Sequence, residues 1–328
     1  MSNHRFTRSA SAAAGLKPRV LLVDDHRQFL GAVSTMLSRD FNVVGTMLDG
    51  RQALDEAPRL QPDVIVLDVD MPGFDGFQTI GQLQQGSEAG VPVVFLSMHE
   101  ADETAAEAFR LGGKGYVLKS RASRDLSTAI EQALLGRLFV PSLTSLSRMA
   151  PGGMHAMHLY HRLEPFLDSV AAFFHDALCR GDATCAIATQ PVRDGLNERL
   201  RARGWDTEAH PRYRAIDVSD ALRRFMRNGL PDENVLQEIA AELDDYRTSI
   251  AEGETSRLTV FGNMVVTLSE QGNIEAVLAL ERAWNTLTHG LPFLTLCAYE
   301  TASFHDGVPG LWPAACSEHV VLGHASDV

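Results

Sequence analysis

Acidic, hydroxyl and basic side chains stand at the ends of predicted strands within the first 120 residues of the sequence. Asp24 and Asp25 end the first such strand, Asp68 ends the third, Ser97 ends the fourth and Lys119 follows the fifth. In an open parallel sheet the reactive groups gather at the carboxyl ends of the strands. These five side chains are therefore expected to lie at one edge of a sheet.

Three carboxylates brought together repel one another, so their meeting predicts a divalent cation. Oxygen ligands that leave positions open for water and phosphate suit Mg²⁺. The alternative is that each acid is only a solvated residue at a strand end, which is the usual fate of a single Asp. Five groups in register favour a Mg²⁺ site that receives a phosphoryl group.

The elements that must position these groups alternate short apolar runs with amphipathic stretches. This pattern predicts a doubly wound parallel sheet built from five βα units. The predicted strands are 20–23, 42–46, 64–67, 92–97 and 115–118. The predicted helices are 26–38, 50–57, 75–85, 102–111 and 122–136.

Four sequence runs resemble the receiver domains of bacterial response regulators: VLLVDDH, VIVLDVDMPGFDG, VVFLSMH and GGKGYVLKS. The resemblance covers about residues 19–137. It implies phosphoryl transfer from a sensor histidine kinase to an aspartate, aided by Mg²⁺, and a homodimer formed through the fourth helix, fifth strand and fifth helix.

The resemblance also implies a role for each matching residue. Asp68 would be the phosphoacceptor, and Lys119 would neutralise the transferred group. Ser97 would be the switch hydroxyl and Tyr116 the switch aromatic. The implied metal ligands are Asp25 and Asp68 directly, Asp24 through water, and Asp70 through its backbone carbonyl.

The second half of the chain differs in charge. Residues 151–328 hold 14 Lys and Arg, none of them Lys, against 25 Asp and Glu, a net charge of −11. A DNA-binding domain normally carries a basic face, so this balance argues against tight DNA binding. The absence of a GxxxxGK[ST] loop disfavours a nucleotide hydrolase.

A second alternation of strands and helices predicts a second α/β domain over 155–302. It is preceded by a linker, 138–154, and followed by a C-terminal tail, 303–328; residues 1–18 are predicted to be a flexible N-terminal tail. The predicted strands are 156–160, 184–188, 213–216, 258–261 and 293–299. The predicted helices are 164–180, 191–203, 219–227, 231–251 and 273–288.

Runs in this second domain resemble the MEDS sensory domain, named for methanogen and methylotroph regulators of the DcmR type: HLYHR, CAIATQ, TVFGNMV, LALERAWN and LCAYE. The resemblance implies a RecA-like core without a phosphate loop that senses a small molecule or engages a protein partner. Candidate pocket residues are His158, Tyr160, Arg193, Asn263, Cys297 and Tyr299.

Each of these candidates has a structural alternative. His155, His158 and His161 suggest a metal, but on a strand they alternate between faces. Cys297 is more often a buried small hydrophobe than a nucleophile. Arg193 and the arginines that follow it in the same predicted helix suit an anion or a solvated face paired with acids.

The sequence therefore predicts a cytoplasmic, non-enzymatic response regulator with a sensory or protein-interaction output. The four cysteines have no regular spacing, which fits reduced thiols, and no apolar run of about 18 residues could span a membrane. The alternative is a transcriptional regulator whose second domain binds DNA or a small-molecule or nucleotide effector.

Overall fold

The computed structural model describes residues 16–86, 90–99, 102–149, 153–250, 256–300 and 320–322. The chain divides into two compact units between Pro141 and Ser142. Most of both predicted tails lies outside the described residues. Among the described residues, no helix has the length and apolar character that crossing a bilayer requires.

The first unit is a parallel sheet with the strand order β2-β1-β3-β4-β5-β6. Its strands are β1 (Arg19–Val23), β2 (Asn42–Met47), β3 (Val64–Asp68), β4 (Val93–Ser97), β5 (Gly115–Leu118) and β6 (Phe139–Val140). Its helices are α1 (Arg27–Leu37), α2 (Gly50–Leu60), α3 (Gly76–Leu83), α4 (Asp102–Arg110) and α5 (Ala122–Leu134), the last preceded by a 3₁₀ turn, Lys119–Arg121. The five predicted βα units are confirmed.

The two central strands of this sheet, β3 and β4, are buried at every position. Strands covered by helices on both faces are continuous apolar runs. The sequences of β3 and β4, VIVLD and VVFLS, follow this pattern, and each ends in a single polar residue. The polar side chains of Asp68 and Ser97 therefore sit where the sheet ends and the loops begin.

The loop after β3 is held close to the strand by a glycine. A Cβ atom on Gly76 would lie 2.2 Å from the carbonyl oxygen of Asp68, so the two backbones can approach this closely only without a side chain. Asp75 then caps α3, accepting from the Gln78 amide at 2.7 Å in a capping box. These contacts fix the backbone on the C-terminal side of Asp68.

The predicted linker, 138–154, contains regular structure over most of its described residues. β6 pairs in parallel with β5, a seven-residue helix, α6 (Leu143–Met149), follows, and the next strand begins at Met154. Leu146 and Ser147 are fully buried. The expectation of an irregular linker is corrected, because elements this short show no period in the sequence.

The second unit is also a parallel sheet, with the strand order β14-β7-β13-β12-β8-β9. Its strands are β7 (Met154–Tyr160), β8 (Ala183–Ala188), β9 (Tyr213–Asp217), β12 (Leu258–Gly262), β13 (Phe293–Glu300) and β14 (Val320–Leu322). Its helices after α6 are α7 (Leu163–Cys179), α8 (Gln190–Ala202), α9 (Val218–Phe225), α10 (Glu233–Ser249), α11 (Met264–Glu270) and α12 (Ile274–Thr288). The predicted second α/β domain is confirmed.

Besides α6, three features of this unit are absent from the predicted elements: α11, a two-stranded ribbon, and β14, which lies within the predicted C-terminal tail, 303–328. Helix α11 follows β12 directly, and a two-stranded ribbon joins α9 to α10, formed by β10 (Met226–Arg227) and β11 (Leu230–Pro231). Asn228 and Gly229 turn the ribbon with φ values of 50° and 82°. An Asn-Gly pair is a strong hairpin signal, so the sequence did contain evidence for this ribbon.

Candidate functional site

The carboxyl edge of the first sheet brings together the groups that its strands end on. Because β1 lies beside β3, and β3, β4 and β5 are consecutive neighbours, residues that end these strands meet at one edge. Lys119 Nζ lies 2.7 Å from Asp24 Oδ2 and 2.8 Å from Asp68 Oδ2. Asp24, Asp68 and Lys119 therefore lie together at this edge, as the sequence predicts.

These three side chains are almost completely withdrawn from solvent. The side chains of Asp24, Asp68 and Lys119 are 0%, 1% and 7% exposed. Two carboxylates share one ammonium, so with both acids ionised these three side chains carry a net negative charge. An arrangement of this kind attracts a cation.

Burial changes the protonation of the central carboxyl. It raises the pKa of Asp68 to about 6, with the charge of Asp24 adding to the effect and the hydrogen bond from Lys119 opposing it. Burial alone would lower the pKa of Lys119, but its hydrogen bonds and charge interactions with Asp24 and Asp68 outweigh burial and raise it. Lys119 therefore stays a cation, while the pKa of about 6 makes Asp68 easier to protonate than a free aspartate.

The outer side of the cluster is more open. The Asp25 side chain is 25% exposed, and its Oδ1 lies 2.7 Å from His26 Nδ1. The backbone amide of His26 donates to Asp24 Oδ1 at 2.8 Å. One ligand atom from each of Asp24, Asp25, His26 and Asp68 falls within 4.8 Å of the others, so this group has the dimensions of a metal site. Sequence reasoning did not include His26, which follows the acids directly in VLLVDDH.

A second set of hydrogen bonds extends from this edge, beyond the end of β4. The Ser97 hydroxyl donates to Asp70 Oδ2 at 3.4 Å and accepts from the His99 amide at 3.0 Å. The Tyr116 hydroxyl donates to the His99 carbonyl at 3.1 Å, and the Tyr116 ring is 1% exposed. Ser97 and Tyr116 thus meet the same residue, His99, which sequence reasoning missed.

Comparison with known families assigns both units. Residues 20–131 match the response regulator receiver domain, and residues 154–308 match the MEDS domain, the methanogen/methylotroph, DcmR sensory domain. The chain therefore belongs to the proteins in which a receiver domain is followed by a MEDS domain.

Curated relatives support the first of these assignments. The nitrate/nitrite response regulator NarL of Escherichia coli is 38% identical over 122 residues, which is 36% of this chain and 56% of that protein. The transcriptional regulatory protein DesR of Bacillus subtilis is 31% identical over 127 residues, 38% of this chain and 62% of that protein. The matches thus span less than two thirds of either relative. The receiver domain is homologous to those of NarL and DesR.

Solved structures of receiver domains are similar in sequence to about the same share of this chain as the curated relatives. The signal receiver domain of NarL from Mycobacterium tuberculosis is 33% identical and covers 37% of this chain and 98% of that one, with a TM-score of 0.35. The isolated receiver domain of RcsB from Salmonella enterica is 28% identical and covers 40% and 98%, with a TM-score of 0.36.

The candidate pocket residues of the second unit lie on two faces of its sheet. The rings of His158 and Tyr160 stack on Phe166 of α7, with centroids 5.4 and 4.3 Å away. Cys297 and Tyr299 point to the opposite face, where the Tyr299 hydroxyl donates to Glu281 of α12. Strand alternation separates the two pairs, so these four side chains do not surround one space.

Arg193 lies in the first turn of α8, after β8, and Asn263 directly follows β12. Arg193 pairs with Asp217 at 2.7 Å and donates to the Ala188 carbonyl at 3.2 Å, so its charge is used within the fold. Asn263 is buried and accepts from the Thr189 amide at 3.3 Å. Both side chains thus support the loops that follow β8 and β12.

Two cavities lie on the α12 face of this sheet. The larger has a volume of about 190 Å³ and combines apolar walls with Arg214, Arg224 and Glu242. The smaller, of about 20 Å³, touches both Glu281 and Cys297. Of the six predicted pocket residues, Cys297 alone lines either of these two cavities. The cavities share four lining residues: Ile187, Met264, Leu280 and Trp284.

Proposed function

We propose that this chain is a response regulator that accepts a phosphoryl group from a sensor histidine kinase on Asp68 and passes the signal on through its MEDS domain. The observation that carries this proposal is the buried Asp68 carboxylate, 2.8 Å from the Lys119 ammonium, in a domain homologous to the NarL and DesR receivers. The chain acts on no other substrate in this proposal, so it is not an enzyme beyond its own phosphorylation and dephosphorylation.

Asp68 is the nucleophile of the reaction. An oxygen of its carboxylate attacks the phosphorus of a phosphohistidine in line, forming an O–P bond as the N–P bond breaks, and the electron pair leaves with the imidazole. Lys119 offsets the negative charge that gathers on the phosphoryl oxygens. Because Asp24 and Asp68 share this lysine, it is already positioned before a phosphodonor arrives.

The residues of this edge fit Mg²⁺ as the cofactor. Three of the four candidate donors are carboxylates, which outnumber the one neighbouring ammonium, and oxygen is the ligand that Mg²⁺ prefers. The fourth candidate donor is the His26 imidazole. Asp25 and Asp68 would bind it directly, Asp24 through water and Asp70 through its backbone carbonyl. When bound, the ion supplies positive charge against the phosphoryl oxygens.

Ser97 and Tyr116 convert phosphorylation into a surface change. A dianion on Asp68 attracts the Ser97 hydroxyl away from Asp70, to which it now donates. The His99 carbonyl accepts from the Tyr116 hydroxyl, and the His99 amide donates to the Ser97 hydroxyl. A movement of Ser97 is therefore transmitted to the Tyr116 ring through His99. The surface formed by α4, β5 and α5 then favours a homodimer.

The output is proposed to be a sensory or protein-interaction function of the MEDS domain in the cytoplasm. Transcriptional control by direct DNA binding is the second candidate, since DesR is named a transcriptional regulatory protein. Arginines of the second unit argue against it, because they meet acids: Arg199 contacts Glu164 and Asp168, and Arg224 contacts Glu242. The net charge of −11 over residues 151–328 argues in the same direction, because DNA binding depends on positive charge that meets the phosphates.

The experiment is phosphorylation of the full chain by a small-molecule phosphodonor with Mg²⁺, followed by intact mass spectrometry. We expect one phosphoryl group on the wild type and none on Asp68→Asn. Asp55→Asn, on the exposed face of α2, is the matched control and should behave as the wild type. Phosphorylation of Asp68→Asn to the wild-type extent would refute the assignment. DNA retained by the phosphorylated chain in a salt-dependent manner would favour the second candidate.

A further inference from the structure

The second unit holds a cluster of metal-ligating side chains that phosphoryl transfer does not use. His155 lies on β7, Cys297 on the neighbouring strand β13, and Glu281 on α12, which covers that face of the sheet. All three are buried, with exposures of 4%, 8% and 1%. A carboxyl group is seldom buried this deeply unless it is paired or coordinates a metal.

The three side chains converge on one point. His155 Nε2 lies 3.0 Å from Cys297 Sγ and 3.3 Å from Glu281 Oε2. One ligand atom from each residue falls within 4.8 Å of the other two. Ligand atoms that each stand about 2.0–2.3 Å from a common tetrahedral ion are separated by distances of this order.

We propose that His155, Glu281 and Cys297 form a transition-metal site, with Zn²⁺ as its ion. Imidazole, thiolate and carboxylate are the three ligand types that Zn²⁺ takes from proteins, and the thiolate sets this site apart from one for Mg²⁺ or Ca²⁺. On binding, the Sγ–H bond of Cys297 breaks, its proton passes to solvent and a bond from sulfur to metal forms.

The cluster leaves room for a fourth ligand. The small cavity of about 20 Å³ borders Glu281 and Cys297, and a space of at least about 10–15 Å³ can hold one water molecule. Three protein ligands and a water describe a zinc site with an exchangeable position, whereas purely structural zinc sites use four protein ligands.

Tyr299 acts as a positioning residue for this site. It lies two residues after Cys297 on the same face of β13, and its hydroxyl donates to Glu281 Oε1, which leaves Oε2 towards His155. Hydrogen bonds of this type orient metal ligands, and their loss lowers metal affinity about 10- to 100-fold. One hydrogen bond thus fixes which carboxylate oxygen faces the cluster.

The test is Co²⁺ binding by the full chain after chelator treatment, carried out on the Asp68→Asn background to weaken binding at the receiver. Co²⁺ stands in for Zn²⁺ and reports its own ligands, because a thiolate bond gives a sulfur-to-metal charge-transfer band that oxygen ligands cannot give. We expect one Co²⁺ per chain with this band, and its displacement by Zn²⁺.

Variants assign the band to its cysteine. Cys297→Ser should lose it, and His155→Gln should weaken Co²⁺ binding at least about 100-fold. Cys185→Ser is the matched control: it is buried in β8 of the same sheet outside the cluster, and should keep the band. Circular dichroism checks that each variant is folded.

Two outcomes overturn the proposal. The first is a folded wild-type second unit that gives no thiolate band, which means that the cluster is a hydrogen-bonded network only. The second is a band that survives Cys297→Ser, since it then arises at another cysteine, such as the exposed Cys179 beside His175. Neither outcome bears on Asp68, whose phosphorylation is measured separately.

Discussion

Each of the two units buries carboxyl groups at its candidate site, but the side chains around those carboxyl groups differ. In the receiver, Asp24 and Asp68 face the Lys119 ammonium, and the neighbouring Asp25 reaches solvent. In the second unit, Glu281 faces an imidazole, a thiol and a phenol in a closed interior. The first environment suits exchange of phosphoryl groups with an outside partner, and the second suits retention of an ion.

The difference follows from where each group sits on its sheet. The receiver acids stand at strand ends, where loops let water and a partner protein approach. His155 and Cys297 lie within their strands, under α12, so access depends on the cavities beside them. Parallel sheets thus support a buried site at the edge, which reaches solvent through Asp25, and a buried site on a face.

The largest expected effect in this comparison is the loss of Lys119. Lys119→Met should slow phosphorylation by a small-molecule donor about 100- to 1000-fold, because it removes the positive charge preorganised beside Asp68. The measurement is the rate of phosphoryl incorporation by intact mass spectrometry. Lys114→Met is the control, because Lys114 immediately precedes β5 and Lys119 follows the other end of that strand. A wild-type rate in Lys119→Met would mean that the lysine only neutralises the resting acids.

The next effect is on stability and depends on pH. Because folding raises the pKa of Asp68 from 3.8 to about 6, the carboxylate is disfavoured in the folded receiver. Its contribution to stability is present below about pH 4 and is lost as the pH rises through 6. Without metal, Asp68→Asn should therefore stabilise the receiver at pH 8, by up to about 3 kcal/mol, and should have no effect near pH 4.

Urea unfolding of the full chain in chelator, followed by hydrogen exchange of β3 peptides, measures this difference. Asp55→Asn serves again as the control and should change nothing with pH in the same range. An Asp68→Asn variant that is less stable than the wild type at pH 8 would contradict the raised pKa. In saturating Mg²⁺ the wild type should instead be more stable than Asp68→Asn at pH 8, since the wild type binds the ion more tightly.

A smaller effect tests the second site alone. Tyr299→Phe should weaken Zn²⁺ binding about 10-fold and leave phosphorylation of Asp68 unchanged, because it removes the hydrogen bond that orients Glu281. Competition with a chelating dye measures the affinity. Tyr213→Phe on β9, which loses a side-chain hydrogen bond to Asn197 on α8, is the control. Equal Zn²⁺ affinity in both variants would mean that Tyr299 does not position Glu281 for metal binding.

The receiver edge could be predicted from sequence, whereas the cluster on the second sheet could not. Asp24, Asp68 and Lys119 each follow an apolar run, so strand order alone brings them together. Glu281 lies in the middle of a helix, where a glutamate is by default solvated. Its inward position depends on how α12 packs against β13, and periodicity in one element does not determine that packing.

The histidines show the same limit. Strand alternation correctly separates His155 from His158, which lie on opposite faces of β7, and it therefore removes the metal site that the histidines alone suggest. It gives no indication that His155 meets Cys297, 142 positions later, because that contact requires the pairing of β7 with β13. Short elements such as β6 and α6 escaped prediction for a different reason, their length.

The smallest expected effect concerns the relay between Ser97 and Tyr116. Tyr116→Phe removes the hydrogen bond to the His99 carbonyl and should reduce the stability of the receiver by about 1 kcal/mol while leaving the rate of phosphorylation unchanged. The response to phosphorylation should change instead, because His99 would no longer connect Ser97 to the ring. Hydrogen exchange of α4 and β5 peptides, with and without beryllofluoride, measures this response, and Tyr213→Phe is the control. An unaltered response in Tyr116→Phe would show that the ring moves by packing alone.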